Sequence, residues 1–147
     1  MRRKADGSAF EREFRDCMKE SFYVRRLHTM NTGYSGMTQP ADFVVVGDQF
    51  NYVELKETKG DSFSITAMQQ FEEMREYLQE RSRLCICRAV RESRYWIIVH
   101  FLEYGVIKVV EGARALEMSN AHKTIRVTDD TIMQFASLKE MKEKLIL

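Results

Sequence analysis

The sequence predicts one mixed α/β domain that spans residues 1–147. Two observations predict this class: apolar stripes at helical spacing, and β-rich apolar runs that alternate with those stripes along the chain. The composition agrees, because 44% of the residues are hydrophobic and 31% are charged, with seven glycines and one proline. Such a chain is long enough to bury a core, and its composition excludes disordered and collagen-like proteins.

An amphipathic helix is predicted at the start of the chain, from Gly7 to Phe22. Within it an apolar residue recurs at every fourth position from Phe10 to Phe22, which is the spacing of one helix face. Ser8 is followed three residues later by Glu11, and this pair is typical of a capping box at a helix start.

A predicted hairpin follows this helix. A short apolar and basic stretch, Phe22 to Leu27, leads into a polar loop from Asn31 to Pro40 that contains two glycines. Ala41 to Val46 and Tyr52 to Lys56 are β-rich runs separated by five residues. We therefore expect two paired antiparallel strands here.

A second helix and further strands are predicted beyond Gly60. The apolar face of this helix consists of Ile65, Met68, Phe71, Met74 and Leu78, at spacings of three and four. Further strands are predicted at Leu84–Val90, Tyr95–Leu102 and Val106–Val110. The central mixed sheet should thus have about five strands flanked by helices.

Residues 111–147 are predicted to extend a core that covers about residues 7–110. The extension should contain a short helix at Ala113–Met118 and a strand at Ile125–Val127. A last helix is predicted with Phe135, Leu138, Met141 and Leu145 on one face.

Composition and charge distribution also bear on the location of the protein and on the kinds of site it contains. No run of apolar residues is long enough for a membrane span or resembles a signal-peptide core, so we expect a cytoplasmic protein that makes no membrane contact. Three cysteines, without paired CxxC spacing, predict neither a disulfide framework nor a zinc site. The net charge is only +1, yet residues 41–74 carry seven acidic and two basic side chains between basic flanks.

Charged side chains within the predicted hairpin are the most informative feature of the sequence. Glu54 and Lys56 lie two residues apart on an apolar strand, so they share one face, and Asp42 at the start of the paired strand reaches the same place. Two carboxylates and a strand carbonyl form an all-oxygen site that suits Mg²⁺, with Mn²⁺ as a substitute. A metal ion there polarises a phosphoryl oxygen and activates a bound water. Alternatively, the strands form a surface hairpin in which Glu54 and Lys56 make a weak exposed ion pair.

The order of these residues resembles the PD-(D/E)XK nuclease superfamily. The resemblance rests on P-A-D at 40–42 and E-L-K at 54–56, on two successive strands between two helices. It implies a restriction-endonuclease-like fold with an αβββαβ core and a divalent-metal site for phosphodiester hydrolysis. The implied site residues are Asp42 and Glu54 as metal ligands with the backbone carbonyl of Leu55, Lys56 beside the attacking water, Glu11 from the first helix and Gln70 from the second.

Two of these residues have other interpretations. Glu11 closes a capping box whether or not a metal is near. Gln70 or its neighbour Gln69 is the matching glutamine, or a solvated helix position.

Within the superfamily the chain is similar to Holliday junction resolvases of the RecU family and their archaeal and phage relatives. The similarity is carried by E-L-K-E-T-K at 54–59 and Q-Q-F-E-E-M at 69–74, and covers about residues 7–110 without the RecU stalk. It implies a homodimer that cuts four-way DNA, since two symmetric cuts need two sites related by a two-fold axis.

The expected DNA contacts are basic side chains, which neutralise phosphates. They are Arg2, Arg3, Lys4, Arg25, Arg26 and Lys59. Two other hypotheses stay open. One is a repair, restriction-like or phage DNA-processing nuclease that acts on ends, flaps or duplex, and the other is a nuclease-like fold that binds DNA without cutting it.

Overall fold

Five helices and eight strands make up the described part of the chain, which is residues 8–27, 40–81, 83 and 88–147 of a computed structural model. In chain order these elements are α1 (Ala9–Met18), β1 (Tyr23–Arg26), β2 (Phe43–Val46), β3 (Phe50–Thr58), β4 (Ser62–Phe63), α2 (Phe71–Glu80), α3 (Arg88–Arg91), β5 (Arg94–Phe101), β6 (Val106–Glu111), α4 (Gly112–Asn120), β7 (Ile125–Arg126), β8 (Met133–Phe135) and α5 (Leu138–Lys144).

A mixed six-stranded sheet forms the centre of this α/β domain. Its strand order is β1-β2-β3-β5-β6-β8, and β3 and β5 form the one parallel pair. A parallel pair needs a crossover, and here α2 and α3 lie in the connection between β3 and β5. The short strands β4 and β7 pair separately as a two-stranded sheet.

Helices cover both faces of the large sheet. Buried residues of α1 and α5 pack on one face with Val53 and Leu55 of β3. Buried residues of α2 and α4 pack on the other face with Ile97 and Val99 of β5. This second face is the one to which Glu54 and Lys56 belong, because strand side chains alternate. Glu54 is therefore fully buried and Lys56 partly buried on the helix-covered face, rather than both being exposed on a hairpin surface.

The first helix begins as its sequence predicts. Ser8 is the N-cap, and its Oγ accepts a hydrogen bond from the Glu11 N–H at 3.2 Å. The apolar stripe of Phe10, Phe14 and Met18 is buried against the sheet. The helix ends at Met18 rather than at Phe22, since turns at residues 19–21 lead into β1.

The predicted hairpin is confirmed, with β2 and β3 antiparallel and Val46 opposite Phe50. Asn51, fully buried, supports the turn because its Nδ2 donates to the carbonyl of Val45 at 3.2 Å. Its Oδ1 accepts from Trp96 Nε1 of β5 at 3.0 Å. These bonds tie the turn to the centre of the sheet.

Some predicted elements differ in the structure. The sheet has six strands rather than five, because two unpredicted edge strands join it, namely β1 from the basic stretch after α1 and β8 at Met133–Phe135. The strand prediction at Leu84–Val90 is wrong for its described part, since Arg88–Arg91 is helical and residues 84–87 lie outside the described residues. A strand there would find no place beside β5, whose two neighbours are β3 and β6.

The second and last helices are shorter than their apolar spacing predicts. Ile65 and Met68 are buried but precede α2, in turns where Met68 N–H donates to the Ile65 carbonyl at 3.1 Å. Phe135 lies in β8, and α5 begins only after Ser137, whose Oγ accepts from the Glu140 N–H at 3.1 Å. Apolar residues spaced three or four apart are therefore not always helical here, since Ile65 and Met68 lie in turns and Phe135 lies in a strand.

The segment after residue 110 completes the sheet and both helix layers. β8 pairs with β6, and α4 and α5 each contribute to one core cluster. Among the described residues, no helix combines the length and the apolar character that a membrane span needs.

Candidate active site

The candidate site lies where β2 and β3 separate, a place we call the fork. The last strand pair there is Phe43 with Val53. Asp42, the residue before β2, donates its N–H to the Val53 carbonyl at 3.1 Å. Its Oδ2 accepts a hydrogen bond from the Leu55 N–H at 2.9 Å. If β2 were longer, a backbone carbonyl would accept the hydrogen bond from the Leu55 N–H. Here the side-chain oxygen of Asp42 accepts it instead.

The backbone carbonyl of Leu55 faces the same place. The N–H and C=O of one residue in an antiparallel strand point to the same side. Because the Leu55 N–H bonds to Asp42, its carbonyl is also directed toward the open side of the fork. Asp42 and Leu55 together present backbone and carboxylate oxygens at one point.

Glu54 lies next to this point with a side chain that is 0% exposed. Lys56 Nζ lies 2.9 Å from Glu54 Oε1 and is itself 25% exposed. Neither Glu54 oxygen has a hydrogen bond of good geometry with any described residue. Since buried polar groups are nearly always hydrogen-bonded, this carboxylate requires a further partner. The alternative of an exposed surface pair is therefore wrong.

Burial dominates the electrostatics of Glu54. Burial first and the nearby charge of Asp42 second raise the pKa of the Glu54 carboxyl to about 8, although Lys56 opposes the shift. The pKa of Glu11 is also raised, by burial first and by Asp42 second. The three carboxyl groups therefore act on one another, and a cation at the fork would stabilise their charged forms.

Glu11 approaches from α1, on the other face of the sheet. Its Oε2 lies 3.1 Å from the guanidinium of Arg26 in β1. This oxygen is buried and has no hydrogen bond of good geometry with a described residue. The capping interpretation holds for its backbone N–H, whereas its carboxylate faces Arg26.

The N-terminus of α2 supplies another unpartnered oxygen. Gln70 is the N-cap of this helix, and its side chain makes no capping hydrogen bond. Its Oε1 is buried and without a partner among the described residues, whereas Gln69 is exposed. Of the two glutamines, Gln70 thus has the placement that a buried site residue needs.

Two further residues near the carboxyl groups have no place in the sequence prediction. Tyr95 of β5 is buried, and its hydroxyl donates to the Pro40 carbonyl, which fixes the segment before Asp42. Burial raises its pKa, and Glu54, Asp42 and Glu73 raise it further. Glu73 Oε2 is buried without a described hydrogen-bond partner. Glu73 could have been found from the sequence, because a residue three positions after Gln70 lies on the same face of a helix. Tyr95 could not, because its position near the fork depends on the parallel pairing of β5 with β3.

The donor set fits a hard divalent cation held by few protein ligands. Mg²⁺ is commonly bound by one or two carboxylates and keeps several waters. Asp42, Glu54 and the Leu55 carbonyl provide such a set. In the described ranges, no group of three or more histidine, cysteine, aspartate or glutamate side chains is placed to hold a metal ion. The structure therefore does not bring Glu11 into one ligand group with Asp42 and Glu54.

The predicted DNA contacts differ in their surroundings. Arg25 is exposed on β1, and Lys59 is exposed in the turn after β3. Arg26 faces Glu11 and is 33% exposed. The predicted contacts at residues 2–4 lie outside the described residues.

No family model matches this chain, and no curated protein is significantly similar to it.

Proposed function

We propose that this protein is a divalent-metal-dependent endonuclease that hydrolyses phosphodiester bonds in DNA. The observation that carries the proposal is the fully buried carboxylate of Glu54, which lacks a hydrogen-bond partner of good geometry beside Asp42 and Lys56 at the fork. The ionised form of such a buried carboxyl group costs several kcal/mol in desolvation, and one lysine at 2.9 Å from Oε1 offsets only part of it, so the group calls for a further cationic partner. A bound divalent cation would supply this partner.

The residues of the fork have distinct roles in this proposal. Asp42, Glu54 and the Leu55 carbonyl would hold Mg²⁺, or Mn²⁺ in its place, which lowers the pKa of a bound water and polarises the phosphoryl oxygen. Lys56 Nζ, with three donors beside the carboxylates, orients the attacking water or a phosphate oxygen. The water oxygen bonds to phosphorus, the bond from phosphorus to one bridging oxygen breaks, and that oxygen takes up a proton and leaves as a sugar hydroxyl while the other fragment keeps the phosphate. Glu11 and Gln70 remain predicted members of the site.

The arrangement of elements supports the finer fold that the resemblance implies. Leaving the two-residue β4 and the one-turn α3 aside, the order is α1, β1, β2, β3, α2, β5. This order agrees with the αβββαβ core that the resemblance implies, with Asp42 just before the second strand and Glu54 and Lys56 on the third. We include that fold in the proposal.

The proposed substrate is a four-way DNA junction, from the resemblance to junction resolvases. One chain carries one fork, so paired cuts in opposite strands need a homodimer. Other DNA ends, flaps or duplex are the alternative substrates of the same chemistry.

The first experiment is a cleavage assay with labelled four-way junction and matched linear duplex. The protein is incubated with each DNA in Mg²⁺ and in EDTA, and the products are resolved on a denaturing gel. We expect paired nicks in the junction, only in Mg²⁺. Glu54→Gln and Asp42→Asn should lose cleavage and keep DNA binding, while Glu103→Gln, at an exposed position in the β5–β6 turn, should cut like the wild type.

Each outcome has a definite meaning. Cutting of linear DNA as well would replace the junction by a general DNA substrate. Full activity in either carboxylate variant would remove the site assignment.

A DNA-binding module without hydrolysis is the second candidate. It is favoured by the absence, among the described residues, of three acidic or histidine side chains in metal-holding geometry. Binding without cleavage in both Mg²⁺ and Mn²⁺ would establish it.

A further inference from the structure

An exposed tyrosine and an arginine form a pair on the edge strand β1. Tyr23 is 59% exposed, and its hydroxyl accepts a hydrogen bond from Arg25 Nε at 2.9 Å. The guanidinium carbon of Arg25 lies 5.7 Å from the centre of the tyrosine ring. No described carboxylate lies within ion-pair distance of Arg25. The pair thus presents a fixed aromatic ring and an arginine charge that no described carboxylate neutralises.

This pair belongs to the same sheet face as Glu54 and Lys56. Arg25 lies opposite Val44, and Val44 lies opposite Tyr52, so all three side chains point to one face. Tyr52 in turn shares its face with Glu54 and Lys56 through strand alternation. β1 is the edge of the sheet, beyond β2.

The pair also lies at a defined distance from the fork. The Leu27 N–H donates to the Asp42 carbonyl, which places Leu27 level with the fork. Tyr23 is four residues before Leu27, which in an extended strand is about 13 Å. Bases stacked along one strand rise about 3.4 Å per step, so this distance corresponds to about four steps.

We infer that Tyr23 stacks on an unpaired base of the substrate while Arg25 contacts a neighbouring phosphate. This inference rests on the proposed function and names its substrate class as DNA with unpaired nucleotides near the cleaved bond, in a flap or a single-stranded end, or at the branch point of a four-way junction whose central base pairs are opened. Exposed aromatic rings beside cationic side chains bind single-stranded nucleic acid because every base has a free π face once it leaves the duplex. A base within a duplex has its faces covered by its neighbours, so blunt duplex gains only the phosphate contact.

Fluorescence anisotropy tests the inference without cleavage. Labelled single-stranded DNA, a duplex with a single-stranded arm, and a blunt duplex are titrated at one fixed salt concentration in EDTA. Tyr23→Ala should weaken binding of the first two DNAs by about tenfold and leave the blunt duplex unchanged. Tyr23→Phe should retain the wild-type affinities, because it keeps the stacking ring.

Tyr104→Ala is the matched control, since Tyr104 is a tyrosine of similar exposure, 51%, in the β5–β6 turn. It should bind all three DNAs like the wild type. An equal loss for single-stranded and blunt DNA, or no loss in Tyr23→Ala, would overturn the inference. Light scattering is measured in parallel, and a loss of self-association by Tyr23→Ala with unchanged DNA affinity would assign this edge to a second copy of the chain instead.

The stacking site and the hydrolytic activity can be rejected separately by these two experiments. A protein that shows the Tyr23 effect but never cuts in Mg²⁺ retains the stacking site and loses the hydrolytic proposal. A protein that cuts but binds all DNAs equally well with Tyr23→Ala retains hydrolysis and loses the stacking site.

Discussion

The carboxyl group of Glu54 couples the stability of this protein to pH. Its pKa is about 8 in the native protein, against an ordinary value of 4.5. Between these values the native state keeps a proton that the unfolded chain releases. The free energy of unfolding therefore falls as the pH rises from about 5 to about 8.

We expect Glu54→Gln to remove most of this fall, because an amide does not ionise. Urea denaturation in EDTA at several pH values measures the effect. The wild type should lose up to about 1.4 kcal/mol per pH unit in this interval, and the variant clearly less. Glu11, whose pKa is also raised, leaves a dependence of the same sign.

The exposed Glu103→Gln variant should keep the wild-type dependence on pH. Parallel curves for the wild type and Glu54→Gln would mean that Glu54 is already ionised in the native protein at neutral pH. Its burial would then be balanced by Lys56 alone.

At the scale of elements, the position of α4 depends on one glycine. Gly112 is the first residue of α4, and a Cβ there would lie 2.9 Å from Leu78 Cδ1 of α2 and 2.9 Å from Tyr95 Cβ of β5. The leucine is able to rotate, but the Cβ of Tyr95 is fixed to the central strand. The contact matters for the site because Tyr95 also holds the segment before Asp42.

Gly112→Ala should therefore destabilise the protein by about 1–3 kcal/mol, as overpacking does in a filled core. In thermal unfolding this corresponds to a fall in Tm of about 2–4 °C per kcal/mol. Gly60→Ala is the control, since its Cβ would meet nothing nearer than Thr58 Oγ1 at 3.6 Å. Equal melting temperatures for Gly112→Ala and the wild type would show that α4 shifts freely over β5.

At the scale of the whole molecule, the chain after residue 110 is needed for a closed core. Met141 of α5 is 0% exposed in the cluster that also contains Phe14 of α1. Lys142 Nζ donates to the Cys17 carbonyl at 3.2 Å and to Glu20 at 3.0 Å, both at the end of α1. The first and last helices thus stabilise each other.

Met141→Ala should cost about 2–5 kcal/mol, the range for large-to-small changes at fully buried positions. Glu143→Ala, at an exposed position of the same helix, should stay within about 0.5 kcal/mol of the wild type. Both are measured by urea denaturation. A loss for Met141→Ala as small as that of the control would mean that α5 is not part of the cooperative core.

The sequence by itself determined the elements whose signals are local. The Ser8 cap, the buried stripe of α1 and the β2–β3 hairpin follow from spacing and turn residues, and the structure contains them. The sequence also placed Asp42, Glu54 and Lys56 close together, because a hairpin brings residues twelve to fourteen apart into register and strand alternation fixes their face.

Only the tertiary structure decided what surrounds these residues. Glu54 is buried on the sheet face over which α2 and α4 pack, and the place of Tyr95 arises from the parallel pairing of β3 and β5. The strand predicted across residues 88–90 fails for the same reason, since β5 already has two neighbours. Local spacing specifies a segment's own periodicity, whereas burial, pKa and strand order depend on segments distant in sequence.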